Sequence, residues 1–323
     1  MHLLHYDGAG GFSLATFHGN EIPPYAILSH TWGRDDEEVS FQELQRYRGS
    51  DQSALEHRPG YANIRLCARQ AKKDKLHYFW VDTCCINKLS DPELTESINS
   101  MFRWYQRAAR CYVYLTKEQR WFTRGWTLQE LLASSDALFF NHRRKYMGDK
   151  TTLGLWLSEK TGIPLEALQG APLSEFSIEE RLSWAKHRQT KREEDAAYSL
   201  LGIFGVSMPL VYGEGRDNAY NRLLTAVISA SQSRELVQRY GSYLPSTERP
   251  SLAKNVGKPP DVPGTMIGPS SPPQDQATGR EMEQTWDQEL ETWVQKVWSP
   301  RYQRYHWNRY ENGEGWVFLE WLP

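Results

Sequence analysis

The chain has no run that approaches the ~18–20 apolar residues of a membrane-spanning helix. Its first residues, Met1-His-Leu-Leu-His-Tyr-Asp-Gly8, lack the charged-then-apolar layout of a secretory signal. An excess of charge is also missing, since 38 basic residues meet 40 acidic ones for a formal net charge of −2. That balance argues against a coat for nucleic acid or for an anionic membrane. Cysteine is scarce, with four in 323 residues, the last at Cys111. Cys84 and Cys85 are adjacent and no C-x-x-C occurs, which argues against a disulfide framework or a structural zinc site. Buried thiols packed beside strands are expected instead. Also lacking are a phosphate loop, a nucleophile elbow of the G-x-S-x-G type and an H-E-x-x-H helix. The nine histidines are scattered, so no metal is expected. These absences predict a cytoplasmic protein with no nucleic-acid partner and no membrane.

What is present in excess is aromatic. Thirteen Trp and 17 Tyr predict a core built on large rings with polar handles. The rings are unevenly spread. Residues 286–323 hold six of the Trp, and residues 245–273 hold eight of the 17 Pro. The Pro-rich stretch reads as a disordered linker. The Trp-rich end alternates rings and polar residues around Glu311-Asn-Gly-Glu-Gly315, a signal for a small C-terminal β-hairpin.

Strand-like and helix-like runs alternate over the first 150 residues. Tyr25–Ser29, Tyr78–Asp82, Cys111–Leu115 and Ala137–Phe140 read as buried strands. Ile64, Cys67, Ala68 and Ala71 recur at helical spacing over 61–73, and Ile98, Met101, Phe102, Tyr105 and Ala109 mark the face of a second helix. Strands separated by helices imply right-handed crossovers and a mainly parallel α/β sheet. Ligands then bind at the carboxyl ends of the strands, here loops 29–34, 82–92 and 116–126. Five segments read as helix starts with capping-box spacing: Ser40–Glu43, Ser90–Glu93, Thr127–Glu130, Ser177–Glu180 and Thr190–Glu193. Residues from about 174 to 235 read as helical.

Four ordered motifs are more specific: Ala26-Ile-Leu-Ser-His-Thr-Trp-Gly33, Phe79-Trp-Val-Asp-Thr-Cys-Cys-Ile-Asn87, Ser97-Ile-Asn-Ser-Met running on to Cys111-Tyr-Val-Tyr-Leu115, and Arg124-Gly-Trp-Thr-Leu-Gln-Glu-Leu131. Together they resemble the fungal heterokaryon-incompatibility (HET) domain. Arg181-Leu-Ser-Trp-Ala185 through Pro209-Leu-Val-Tyr-Gly-Glu-Gly215 resembles the helical region that often follows it. The resemblance implies a TIR-like, flavodoxin-like sheet over residues 1–160. A helical extension follows over 161–240, then the Pro-rich linker over 241–285 and a Trp-rich segment over 286–323. It further implies a role in fungal self/non-self recognition and programmed cell death, with self-association through the HET domain and a sensor protein as partner. Many TIR domains carry W-C-x-x-E-L, whose Glu cleaves NAD. Here Trp126-Thr-Leu-Gln-Glu-Leu131 matches with Thr127 in place of Cys, which implies Glu130 as the catalytic residue and NAD as substrate rather than cofactor.

The chemistry suits one carboxylate. Cleaving the ribosyl–nicotinamide bond develops positive charge on ribose, and the leaving group is already cationic, so no acid is needed to expel it. Trp126 lies one helical turn before Glu130 and shares its face. His30, Trp32, Asp82 and Arg124 complete the expected substrate-binding set. Each also has a structural alternative. Glu130 fits a capping box with Thr127, His30 a turn, Trp32 and the cysteine pair packing, Asp82 an acceptor for loop amides, and Arg124 a partner for Glu130. The rival to an enzyme is a non-enzymatic module whose assembly itself triggers death.

Overall fold

Six consecutive residues that admit no solvent set the centre of the sheet. The computed structural model describes residues 1–7, 10–47 and 52–240 and the strands within 284–321, with side chains described as far as residue 232. Two short strands, β1 (His2–Tyr6) and β2 (Phe12–Thr16), open the chain as an antiparallel pair. The central strand β3 (Tyr25–His30) follows, buried along its whole length. Ser40 then caps α1 (Phe41–Arg46) with a complete capping box to Glu43. Helix α2 (Pro59–Lys73) buries Ile64, Cys67, Ala68 and Ala71, the face its spacing predicts. The chain continues through β4 (Tyr78–Trp80), α3 (Asp91–Arg107), β5 (Arg110–Tyr114), α4 (Trp126–Ala133), β6 (Ala137–Phe140) and β7 (Tyr146–Asp149). Short helices come next: α5 (Gly154–Thr161), α6 (Leu165–Leu168), α7 (Ile178–Ser183), α8 (Asp195–Tyr198) and α9 (Leu201–Phe204). The long α10 (Arg216–Tyr240) ends the series.

The seven strands form one sheet in the order β2-β1-β4-β3-β5-β6-β7. Its four central strands, β4-β3-β5-β6, are parallel. The mainly parallel sheet expected from the sequence is thus a mixed one. β1 and β2 on one side and β7 on the other run antiparallel to their neighbours. These edge strands are four or five residues long and join through tight connections, so they leave no strand–helix alternation to read.

Large rings fill the core and spend their polar ends on backbone or nearby carboxylates. The Tyr105 hydroxyl donates to the Leu28 carbonyl at 2.8 Å, Tyr25 to the Trp104 carbonyl at 2.6 Å, and Tyr112 to Asp74 at 2.7 Å. All four cysteines are free and buried. The helical region joins the α/β part through backbone and a guanidinium. Gln189 donates its amide to the Thr123 carbonyl and accepts the Gly125 amide, at 2.6 and 2.8 Å. Arg188 donates to the Arg124 carbonyl at 2.9 Å and to the Thr127 hydroxyl at 3.0 Å.

Two of the five expected caps form as capping boxes, at Ser40 and Ser177. The other three do not. Ser90 precedes α3 without a side-chain cap, and Glu93 accepts the Asn87 amide at 3.1 Å instead. Helix α4 begins at Gly125, Thr127 lies inside it, and the Thr127 hydroxyl donates to the Trp121 carbonyl. Thr190 hydrogen-bonds the Arg192 carbonyl instead of starting a helix. No described helix is long and apolar enough to cross a membrane.

By contacts the chain divides into two compact units, Met1–Ser242 and Tyr243–Pro323. Within the second, β8 (Gln284–Asp287), β9 (Thr292–Ser299), β10 (Arg304–Glu311) and β11 (Gly315–Trp321) form an antiparallel sheet in the order β11-β10-β9-β8. The Pro-rich stretch at 245–273 lies outside the described residues.

Helix α9 meets α3 at a glycine. A Cβ added at Gly202 runs into the half-buried Phe102 side chain of α3. Gly202→Ala is therefore expected to lower stability by about 1–3 kcal/mol through overpacking. Urea unfolding checks this, and an unchanged midpoint denies the close approach.

Candidate functional site

At the carboxyl end of β3 the chain turns out of the sheet with His30, Thr31 and Trp32. The loop after β4 arrives beside it with Asp82. β4 lies on one side of β3 and β5 on the other, so the connections leaving β3 and β5 diverge and open a crevice between them. A cleft of about 410 Å³ lies beside it at the strand ends, lined by the connections after β3 and β4 and by Trp126 at the start of α4. A larger hollow of about 550 Å³ lies elsewhere, near α9 and Lys150. Lys150 is engaged there in closing the end of α4, donating to the Ser134 carbonyl at 2.7 Å. The smaller cleft gathers more ionisable side chains and sits where the topology puts a ligand site.

Of the six candidate residues, Trp32, Asp82 and Trp126 line this cleft. His30 sits directly behind it. Its Nε2 lies 3.6 Å from a Glu38 oxygen and its Nδ1 lies 3.9 Å from an Asp82 oxygen, with the ring buried between them. Neither ring nitrogen, nor the facing oxygen of either carboxylate, has a hydrogen-bond partner closer than that. Burial alone pulls the His30 pKa down, but Glu38 and Asp82 outweigh it and hold the ring above its ordinary value. Glu38 is pushed up by burial. His30 and the Gly33 amide, 2.8 Å from Glu38, reverse that and leave it below the usual carboxylate range. An imidazolium between two carboxylates is the state these positions favour. Glu38 and Asp82 both line the cleft, so His30 fixes two of its acidic groups from behind.

Trp32 donates its indole N–H to the other Asp82 oxygen at 2.6 Å. Cations stand against its ring. The Lys88 ammonium is 3.8 Å from the ring centroid and the Arg124 guanidinium 4.8 Å. Arg124 therefore touches Trp32, and is not among the residues lining the cleft. Cys84 and Cys85 pack beneath this loop, where burial first of all pushes the Cys84 thiol well up.

Glu130 is placed deeper. It is 3% exposed and does not line the cleft. The Ser29 hydroxyl donates to it at 2.5 Å, and Ser29 in turn accepts the Trp121 indole N–H at 2.7 Å. Burial, with the nearby Asp82 charge adding to it, raises Glu130 to about 7. The sequence also gave no signal for Glu38, or for Lys191, Arg192, Asp195 and Tyr212, which line the cleft from outside the four motifs. The capping box at Ser177 and the helical region through Gly215 are legible in the sequence, but not that the segment between them returns to the strand ends. Among the described residues no group of three His, Cys, Asp or Glu is placed to hold a metal.

The burial of Glu130 has a pH signature. Its carboxyl binds a proton more tightly folded than unfolded. Folding therefore keeps its full stability below pH 4.5, the ordinary value, and loses some as pH rises from there to about 7. Glu130→Gln keeps an acceptor for Ser29 and removes the titration. The variant is expected to gain on the order of 3 kcal/mol relative to wild type between these pH values. Thermal melting across this range checks it, and parallel pH profiles for the two proteins deny the assignment.

Comparison with known proteins agrees with the motif order. Residues 25–120 match the family model of heterokaryon incompatibility protein (HET). The chain is 49% identical over 243 residues to vegetative incompatibility protein HET-E-1 of Podospora anserina. The match covers 69% of this chain and 18% of that protein, so the chain spans less than a fifth of its relative's length. No solved structure matches the chain. The motif at the end of β3, the Asp82 loop and the strand β5 all fall inside the matched segment, and the chain is a HET-domain protein.

Proposed function

We propose that this chain acts in vegetative incompatibility as an effector of cell death, and that its cleft binds a nucleotide. The incompatibility role is carried over from the relative. The nucleotide reading rests on one observation, the Trp32–Asp82 pair at the carboxyl ends of the parallel strands β3 and β4, beside the point where the strand order reverses. The parallel strands taken in chain order run second, first, third, fourth across the sheet, as in flavodoxin-like folds, and this supports the TIR-like reading. In such an arrangement Asp82 is poised for ribose hydroxyls and the Trp32 ring for a flat heterocycle. Self-association through the HET domain and a separate sensor protein belong to the same proposal.

The proposed reaction is hydrolysis of NAD to nicotinamide and ADP-ribose. Water adds to the ribose carbon and gives up a proton to solvent as the nicotinamide nitrogen leaves with the bonding electrons. A carboxylate stabilises the positive charge that develops on the sugar. Glu130 is the reacting carboxylate in this reading, and it reaches substrate only if the Ser29 contact opens. Asp82 already faces the cleft and is the carboxylate that needs no such step.

A second reading has its own support. Glu130 held behind Ser29 and Trp121 is what a non-enzymatic oligomerising module would show, with the carboxylate spent on the interior.

Artificially clustered protein supplied with NAD separates these readings. Nicotinamide release is expected from the wild type, with a loss of at least about tenfold in Glu130→Gln. Release that survives in Glu130→Gln but is lost in Asp82→Asn moves the reacting carboxylate to the cleft wall. No release from the clustered wild type, with death still triggered in a fungal host, removes the enzyme and leaves the module.

A further inference from the structure

The far wall of the cleft comes from outside the segment that matches the family model, and it is built around one carboxylate. Asp195, 9% exposed, stands in the first turn of α8. Its Oδ2 accepts the Trp126 indole N–H at 3.3 Å, and its Oδ1 accepts the Tyr212 hydroxyl at 3.0 Å. Two rings from distant parts of the chain are thereby held against the same cleft. Burial raises the Asp195 carboxyl, while the two donors act to keep it charged.

Tyr212 is fixed from its backbone as well. Glu194 accepts the amides of Gly213 and Gly215 at 2.7 and 3.1 Å. These glycines take φ of +98° and +78°, which side-chain-bearing residues rarely adopt. On the other side of Tyr212, the Val211 amide donates to the Tyr198 hydroxyl at 2.9 Å, and that hydroxyl donates to Glu214 at 2.8 Å. The Tyr198 ring meets Tyr212 edge-on at 5.5 Å, and the Arg192 guanidinium lies 4.0 Å from the Tyr212 centroid. A ring locked on so many sides loses little entropy when a ligand arrives, which is what a stacking platform needs. Lys191 and Arg192 bring positive charge to the same wall.

We propose that Trp126 and Tyr212, positioned by Asp195, form a base-stacking subsite, with Arg192 beside it for a phosphate. The ligand class is an adenine nucleotide with a diphosphate. The proposal rests on the nucleotide reading of the cleft and extends it, because it assigns the base and its phosphates to residues 191–212 and leaves the ribose to Asp82. It also makes the helical extension part of the site. Residues 25–120 by themselves then hold only half of it.

Two probes test it on the full-length, unclustered chain by isothermal titration. ADP-ribose carries base, diphosphate and ribose, and has no nicotinamide to lose. Ribose 5-phosphate lacks the base. Wild type is expected to bind ADP-ribose at least about tenfold more tightly than ribose 5-phosphate. Tyr212→Ala should weaken ADP-ribose about tenfold and leave ribose 5-phosphate unchanged. Tyr212→Phe keeps the ring and should restore binding to within about threefold of wild type. Asp195→Asn should weaken ADP-ribose without changing ribose 5-phosphate, with a melting temperature well above that of the titration so that the variant is folded during it. Unchanged ADP-ribose affinity in Tyr212→Ala, or a loss in Tyr212→Phe as large as in Tyr212→Ala, overturns the subsite while the nucleotide reading stands. Failure of the wild type to bind either probe overturns both.

Discussion

A strand without an exposed residue ends in two polar side chains, and the site is organised around finding them partners. Ser29 and His30 close β3, and both are buried. A buried hydroxyl or imidazole without a partner costs free energy comparable to a lost hydrogen bond. Ser29 faces inward and is answered by the Trp121 indole and the Glu130 carboxylate. His30 faces the two carboxylates that line the cleft. One strand end thus sorts the acidic groups into two sets. Glu130 belongs to the interior, and Glu38 and Asp82 belong to the cleft.

The second constraint is that α4 is buried from Thr127 to Ala133. A helix start at the surface can be closed by its own side chains, but one surrounded by protein must be closed by its neighbours. From the helical region the Gln189 carbonyl accepts the Gly125 amide at this helix start, and Arg188 donates to the Arg124 carbonyl and the Thr127 hydroxyl beside it. Closing α4 brings the chain back to the strand ends just before Lys191, so the extension has a reason to lie over the cleft that is independent of any ligand. Trp126 opens α4 and points its N–H at Asp195, which joins the two walls.

This division also explains what could be read in advance. The parallel strands and α2 were legible because each buries a face whose period matches its geometry. Ser40 and Ser177 were legible because their helices start where a side chain is free to fold back. Thr127 has the same spacing, yet its hydroxyl is taken by the Trp121 carbonyl, a contact set by tertiary packing. The short antiparallel strands at the sheet edges carry no helix between them and so no alternation. That Trp32, Asp82 and Trp126 share one end of the sheet was legible because strand-end loops and motif order both point there. The place of Asp195 and Tyr212 at the cleft was not, because it depends on Glu194 pinning a glycine turn and on Arg188 docking. Neither contact has a local sequence period.

The charge balance of the chain recurs within the cleft. Glu38, Asp82 and Asp195 face Lys88, Lys191 and Arg192 across one space, with Lys191 itself drawn to Asp35 at 2.8 Å. A site of mixed sign gains little from bulk attraction, because long-range fields of opposite sign cancel. It selects by arrangement instead, favouring a ligand that carries both signs at matching positions. NAD is such a ligand, with a cationic nicotinamide and an anionic diphosphate separated by ribose. In the proposed pose the inner carboxylates meet the developing cation and the outer cations meet the phosphates. An acidic metabolite without the cationic ring satisfies only the outer half.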